Sequence, residues 1–276
     1  MSTARPAPED AGMRSHYVSA SDFDPKFGNA ATDYERYRAT YPSELFDRLK
    51  AVGVGTENQR VLDLGTGTGF LARELRQRGS SVIGVDLDRE LLAVARRASR
   101  EEADNTEYIW ARAEQIPIRE NSVDVVTAGQ CWHWFDRDHV CSEVQRVITS
   151  GGTIVITHFD WLPRNRNVVD ETEQLILDWN SDWPGAGGTG FYPDWTRDLS
   201  KAEFQNIETF SFETTIEYSH DAWRGRIRAS AGVGGSLSEE EIREFDEQLD
   251  DHLKSSFPDE PIEVPHRSFT VICTAP

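Results

Sequence analysis

Between residues 60 and 161 the chain alternates regularly, and that alternation limits the folds open to it. "RVLDLG" is a short apolar run ending in glycine. "FLARELRQRG" has helical periodicity and stops at Gly79, and "SVIGVD" is again strand-like. "DRELLAVARRASREE" is helical, with Asp88 at its cap position. "TEYIWA" and "SVDVVTAG" read as strands, "DHVCSEVQRVIT" as a helix closed by Gly151 and Gly152, and "GTIVITHF" as a strand. Apolar strands separated by amphipathic helices pack as a mostly parallel sheet with right-handed crossovers and helices on both faces. The expected class is α/β.

The flanks depart from this pattern. In "ATDYERYRATYPSELFDRLKAVGV", Pro42 separates two helices, the second capped by Ser43 with Leu45, Phe46, Leu49 and Val52 on one face. Residues 161–200 carry Trp161, Trp179, Trp183, Phe191, Tyr192 and Trp195 among glycines and prolines. "FQNIETFSFETTIEYS" alternates like an antiparallel strand. "SLSEEEIREFDEQLDDHLKSSF" is a helix opened by a Ser238–Glu241 capping box, and "EVPHRSFTVICTA" is a closing strand. The expected layout is a flexible tail (1–28), an α/β core with N-terminal lid helices (29–160), and remaining strands with cap insertions in the same domain (161–276).

Lys and Arg number 29 against 48 Asp and Glu, for a net charge of −19. Such a surface repels phosphate backbones, so nucleic acid is not expected as a partner. No apolar run approaches the length of a membrane span, and the N-terminus lacks the apolar region of a secretory signal, so a cytoplasmic protein is expected. Cys131, Cys141 and Cys273 have no metal-ligand spacing, and the seven histidines are dispersed, so no metal site is expected. Cys131 reads either as a reactive thiol or as a buried apolar one. Oligomeric state stays open between monomer and homodimer.

The glycine-rich stretch is "VLDLGTGTGF", in which Gly65, Gly67 and Gly69 follow a strand and open a helix. Glycines there admit a ligand to the backbone and to the helix N–H groups. The spacing is G-x-G-x-G, and Phe70 stands where a dinucleotide fingerprint places its third glycine. Asp86 ends the next strand, where an acid accepts hydrogen bonds from a ribose diol.

"VLDLGTGTG", "VIGVD", and "AEQIP" followed by "SVDVVTAGQCWHWF" resemble class I S-adenosylmethionine-dependent methyltransferases, most nearly the small-molecule subgroup that includes trans-aconitate methyltransferase-like members. The resemblance is strong over about residues 30–160 and weak beyond. It implies a Rossmann-like sheet with an antiparallel last strand, a C-terminal cap, and S-adenosyl-L-methionine as cofactor. It also implies site roles. Asp63 faces the methionine amino group, and Gly65, Thr66, Gly67 and Gly69 wrap that moiety. Asp86 holds the ribose and Leu87 lies beside the adenine. Ala113 and Glu114 flank the adenine edge, and Gln130 approaches the methionine end. Many relatives carry an acid where this chain has Arg112. Tyr34, Arg38 and Tyr41 are lid candidates, with Arg38 near the cofactor carboxylate.

"GQCWHWFD" lies at the carboxyl end of the fourth strand, where ligands of open α/β sheets bind. Trp132 and Trp134 are candidates to wall the space where methyl and acceptor meet, although at strand spacing both cannot face inward. His133 is either the base that takes a proton from a weak nucleophile or part of the wall. A carboxylate acceptor needs no base. His158, on the same rim, is a candidate substrate contact. In the cap, Trp223, Arg224, Arg226 and Arg228 form a basic patch; Arg228 and Trp223 are candidates for an acidic acceptor, or the arginines pair with surface carboxylates. The expected function is methyl transfer by in-line displacement to a small-molecule acceptor. The competing readings are a nucleic-acid or protein methyltransferase, an NAD-dependent oxidoreductase, and a non-catalytic cofactor-binding protein.

Overall fold

The computed structural model describes residues 36–37 and 39–276. The expected tail, Tyr34 and Arg38 lie outside the described residues. Helix α1 (Ser43–Ala51) leads into β1 (Arg60–Leu64), α2 (Phe70–Gln77), β2 (Ser81–Asp86), α3 (Arg89–Glu101), β3 (Glu107–Trp110) and β4 (Val123–Gly129). Then come a 3-10 turn (Trp132–Trp134), α4 (Arg137–Val147) and β5 (Ile148–Trp161). The last part holds α5 (Val168–Trp179), α6 (Asp194–Lys201), β6 (Gln205–Tyr218), α7 (His220–Arg228), α8 (Glu239–Ser256) and β7 (Ile262–Thr274).

The strands form a seven-stranded sheet in the order β3-β2-β1-β4-β5-β7-β6. Strands β1 to β5 are parallel, and β7 runs antiparallel between β5 and β6. From β1 the chain winds outward to β3, then returns to the other side of β1 at β4. The β1/β4 boundary is therefore a topological switch point, where crossovers leave in opposite directions and open a crevice.

Alternation along each strand sends residues to both faces. Leu62, Leu64, Val126, Ala128, Ile154 and Ile156 pack under α4 and α6 with Val140, Val144 and Leu199. Val61, Val125 and Val155 pack on the opposite face with Leu45, Leu49, Leu75 and Leu92 of α1, α2 and α3. A third apolar cluster joins α5, α7 and α8 around Trp223, Ile227, Phe245 and Leu249. Ser238 and Glu241 make the expected capping box, and the Asp88 carboxylate caps α3 through the N–H groups of Glu90 and Leu91.

Three local expectations change. Helix α1 begins at Ser43 with Pro42 as its N-cap and no side-chain cap bond, and Val52 lies past its end, 51% exposed. Helix α4 passes directly into β5, because Val147 and Ile148 are both buried and continue the core without a polar break. Gly151 and Gly152 sit inside β5, where a Cβ on Gly152 would stand 2.5 Å from Ile148 Cγ1. Within the irregular-looking 161–200 stretch, α5 and α6 form, the first capped by the Asn167 side chain.

Candidate active site

The glycine loop turns at the switch point. Gly65, Gly67 and Gly69 have φ of 57°, 57° and 81°, the left-handed region that side chains resist. Their surroundings differ. A Cβ on Gly65 would meet Cys131 at 2.7 Å, and one on Gly69 would meet Tyr108 Oη at 2.5 Å, whereas Gly67 has nothing within 4 Å. Two glycines permit close packing, and the middle one opens onto a cleft also lined by Asp63, Thr68, Phe70 and Gln130.

Asp63 is 1% exposed and lines that cleft from β1. Its two oxygens accept from the Thr66 and Thr127 hydroxyls, each at 2.7 Å. Burial raises its pKa to about 6, against the lowering effect of those two bonds and with a smaller push from Asp86. Asp86 accepts from the N–H groups of Gly67 and Asp88, both at 2.8 Å, and burial raises its pKa as well. A carboxylate has about four acceptor sites, so Asp86 keeps capacity for a diol. The Thr68 hydroxyl, also in the cleft lining, is buried with no hydrogen-bond partner. Two raised carboxyls and an orphan hydroxyl suit a ligand that brings positive charge and polar groups. The amino, ribose and sulfonium groups of S-adenosylmethionine fit that donor and acceptor set.

Other expected contacts lie around this cleft. Gln130 takes φ +60° and its N–H donates to Thr157 O at 2.9 Å, which places it in the cleft lining between β4 and β5. Leu87 is 54% exposed, and its carbonyl accepts the Trp110 indole N–H at 2.8 Å. Ala113 is buried. Glu114 accepts the Asp136 N–H at 3.1 Å and pairs with Arg112 at 3.4 Å, so it also ties the segment after β3 to the start of α4. Ala39 and Tyr41 line the cleft from the N-terminal side.

Beyond Gln130 the chain makes a 3-10 turn instead of continuing as strand. Trp132 falls into the core, 1% exposed, and does not line the acceptor space. His133 and Trp134 remain half-buried, with ring centroids 4.5 Å apart. His133 lies edge-on to His158 at 5.2 Å, and His158 lies 4.7 Å from Tyr192, which stacks on Trp195 at 4.2 Å. Asp160 Oδ1 is 2.9 Å from His158 Nε2, and the Tyr192 hydroxyl donates to the other oxygen. Burial works against an ionised Asp160, but His158, the Tyr192 hydroxyl and the nearby His133 together hold its pKa below the usual range. Tyr192 and Trp195 had no assigned role in the sequence; the density of aromatics among glycines was their only trace.

The cap patch does not join this site. Trp223 is fully buried in the cap core with its indole N–H on Thr172 Oγ1, so it is not a substrate contact. Arg228 pairs with Asp246 at 2.7 Å, and Arg224 bonds Asp246 and reaches Asp250 at 3.0 Å. The basic patch serves to hold α7 on α8.

Residues 62–156 match the family described as "Methyltransferase domain". An uncharacterized methyltransferase of Mycobacterium tuberculosis is 41% identical over 136 residues, 49% of this chain and 53% of that protein. A malonyl-[acyl-carrier protein] O-methyltransferase of Hamiltonella defensa is 33% identical over 132 residues, 48% of this chain and 49% of that protein. The chain spans about half the length of these curated relatives. Haemonchus contortus phosphoethanolamine N-methyltransferase 2, solved with phosphomonomethylethanolamine and S-adenosylhomocysteine, superposes with a TM-score of 0.56 at 21% identity, over 94% of this chain and 60% of that one. At that identity the likeness concerns the fold alone. With the switch-point cleft and the G-x-G-x-G loop in hand, the comparisons agree on one point: residues 62–156 are similar to a methyltransferase domain.

Proposed function

We propose that the protein transfers a methyl group from S-adenosylmethionine to a small-molecule acceptor bound beyond the ends of β4 and β5. One observation carries this reading: beyond Gln130, which lines the cleft with Asp63 and Gly67, the 3-10 turn brings His133 edge-on to His158 at 5.2 Å by the ends of β4 and β5. The cofactor brings a methyl group already activated by the sulfonium charge. The protein's part is to align the acceptor and exclude water. Asp63 binds the amino group, Gly65, Thr66, Gly67 and Gly69 wrap the methionine part, and Asp86 holds the ribose. Leu87, Ala113 and Glu114 border the adenine. His133, Trp134 and His158 face the acceptor. A net charge of −19 disfavours nucleic acid as acceptor. Among the described residues no helix is long and apolar enough to cross a membrane. A cytoplasmic place of work and a monomer or homodimer complete the proposal.

Thermal unfolding with S-adenosylhomocysteine, and separately with NADH, tests the cofactor. A ligand at 100 times its Kd adds about 2.7 kcal/mol of stability. The expected outcome is an upward shift with S-adenosylhomocysteine alone, lost in Asp86→Ala. A shift with NADH and none with S-adenosylhomocysteine sinks the reading.

A further inference from the structure

We propose that Glu173 is a latch worked by one proton: ionised, it holds the glycine-rich middle of the loop between α5 and α6, and protonated, it lets that segment go. Glu173 stands where the inward stripe of a helix calls for an apolar residue. Val169, Glu173 and Ile176 share one face of α5 and are all buried, Glu173 at 2% exposure. A carboxyl is rarely buried so fully unless its oxygens are paired. Both oxygens of Glu173 are: Oε1 accepts the Trp161 indole N–H at 2.8 Å, and Oε2 accepts the Gly187 backbone N–H at 2.7 Å. One side chain thereby joins α5, the end of β5 and a loop fourteen residues further along the chain.

The loop has little else to hold it at that point. Trp183 and Ala186 pack on the third apolar cluster, and from there the chain runs Gly187-Gly188-Thr189-Gly190. Gly187 has φ +71°, and a Cβ built on it meets nothing within 4 Å. A segment with so few packed side chains opens at low cost once its hydrogen bond is lost. Its far end is fastened separately: Arg267 donates to the Thr189 carbonyl, and the Tyr192 hydroxyl donates to Asp160.

Two acids therefore fasten this loop, and their charge states differ. Asp160 is held below the usual carboxylate range. Burial pushes Glu173 the other way, to about 7, past the lowering effect of its two hydrogen bonds and with smaller pushes from Asp160 of β5 and Asp170 of its own helix. On the surrounding elements, Arg226 of α7 lies over the Trp161 ring at 4.5 Å, and His252 of α8 stands 2.9 Å from Glu171. His266 of β7 is neutral, its pKa pushed down to about 4 by burial. Between about pH 8 and pH 6, Glu173 takes up a proton and Asp160 does not. A carboxylate accepts at both oxygens, whereas a protonated carboxyl carries a hydrogen on one of them and is a poorer partner for a second N–H. The Trp161 ring is packed edge-on to Trp223 at 5.5 Å, so the bond that gives is the one to Gly187. Mild acid loosens the run that leads into Phe191 and Tyr192 while the anchor on Asp160 holds.

The latch needs no cofactor, so proton NMR of the ligand-free full chain tests it. The Gly187 amide and the Trp161 indole proton should titrate together, with one midpoint near pH 7. Protection of the Gly187 amide from exchange with water, corrected for its intrinsic rate, should fall at least about tenfold from pH 8.5 to pH 5.5, the change expected when a hydrogen bond to a charged acceptor is lost. In Glu173→Gln the side chain keeps one acceptor oxygen, so neither proton should titrate and Gly187 should match the wild type at pH 5.5. A midpoint below pH 5.5 overturns the latch. So does a Gly187 signal that titrates with its protection unchanged, a titration that persists in Glu173→Gln, or a Gly187 amide as protected in that variant as in the wild type at pH 8.5. The wild-type titration decides the matter on its own if the variant does not fold.

Discussion

At the residue scale the cofactor cleft is defined by groups placed at a cost to stability. Asp63 is the clearest case. Its pKa is raised to about 6 by burial, so between about pH 4 and 6 the folded state holds a proton that the unfolded chain has released. Stability therefore falls as pH rises through that window, and the full penalty, on the order of 2–3 kcal/mol, remains above it. Asp63→Asn should accordingly melt higher than the wild type at pH 8, with the gap closing by pH 4, while binding S-adenosylhomocysteine at least about tenfold more weakly. Thermal melts and calorimetric titration of the ligand check both halves. A variant that loses stability at pH 8 contradicts the burial argument. The glycines separate in the same way. Gly67→Ala should cost about 1–2 kcal/mol, the ordinary penalty of a left-handed alanine, yet abolish S-adenosylhomocysteine binding because its Cβ enters the open cleft. Gly69→Ala carries that same strain and also drives a Cβ into Tyr108, whose hydroxyl is fixed by a buried bond to Ser99 at 2.9 Å. Its loss should reach roughly 2–5 kcal/mol by denaturant unfolding.

At the element scale, the packing of short segments shapes the site. The 3-10 turn after β4 is one such segment: it buries Trp132 and leaves His133 and Trp134 half-buried. The approach to α1 is another. Tyr37 lies over α7 at Gly225, where a Cβ would stand 2.2 Å from its ring, and its hydroxyl reaches Asp221 at 3.2 Å. Two residues later Ala39 joins the cleft lining. Gly225→Ala should displace Tyr37 and weaken S-adenosylhomocysteine binding several-fold, with little change in the far-ultraviolet circular dichroism of the fold. Unchanged affinity would show that this contact does not shape the cleft.

At the scale of the whole molecule, the charge of −19 is the dominant feature outside the site. Many of the cations are already paired, among them Arg60 with Asp124 and Lys201 with Asp138, so the surplus carboxylates repel one another across the surface. Screening shortens from about 10 Å at 0.1 M salt to about 3 Å at 1 M. The melting temperature should therefore rise as sodium chloride goes from 0.05 to 1 M, without ligand. A flat or falling curve would mean that the surface charges are balanced locally and that net charge does not limit stability here.

Much of this was legible in the residues themselves. Strand and helix alternation, the G-x-G-x-G turn, Asp86 at a strand end and the Ser238–Glu241 box all depend on local periodicity or on short-range hydrogen bonds, which sequence spacing encodes. The tertiary structure decided what depends on residues far apart. The bonds from Thr127 to Asp63 and from Tyr192 to Asp160 span strands and insertions that only the sheet brings together. The fate of Trp223 and Arg228 was equally non-local. Their residue types allowed a substrate role, but α5 and α8 supplied the Thr172 hydroxyl and the Asp246 carboxylate that claimed them first.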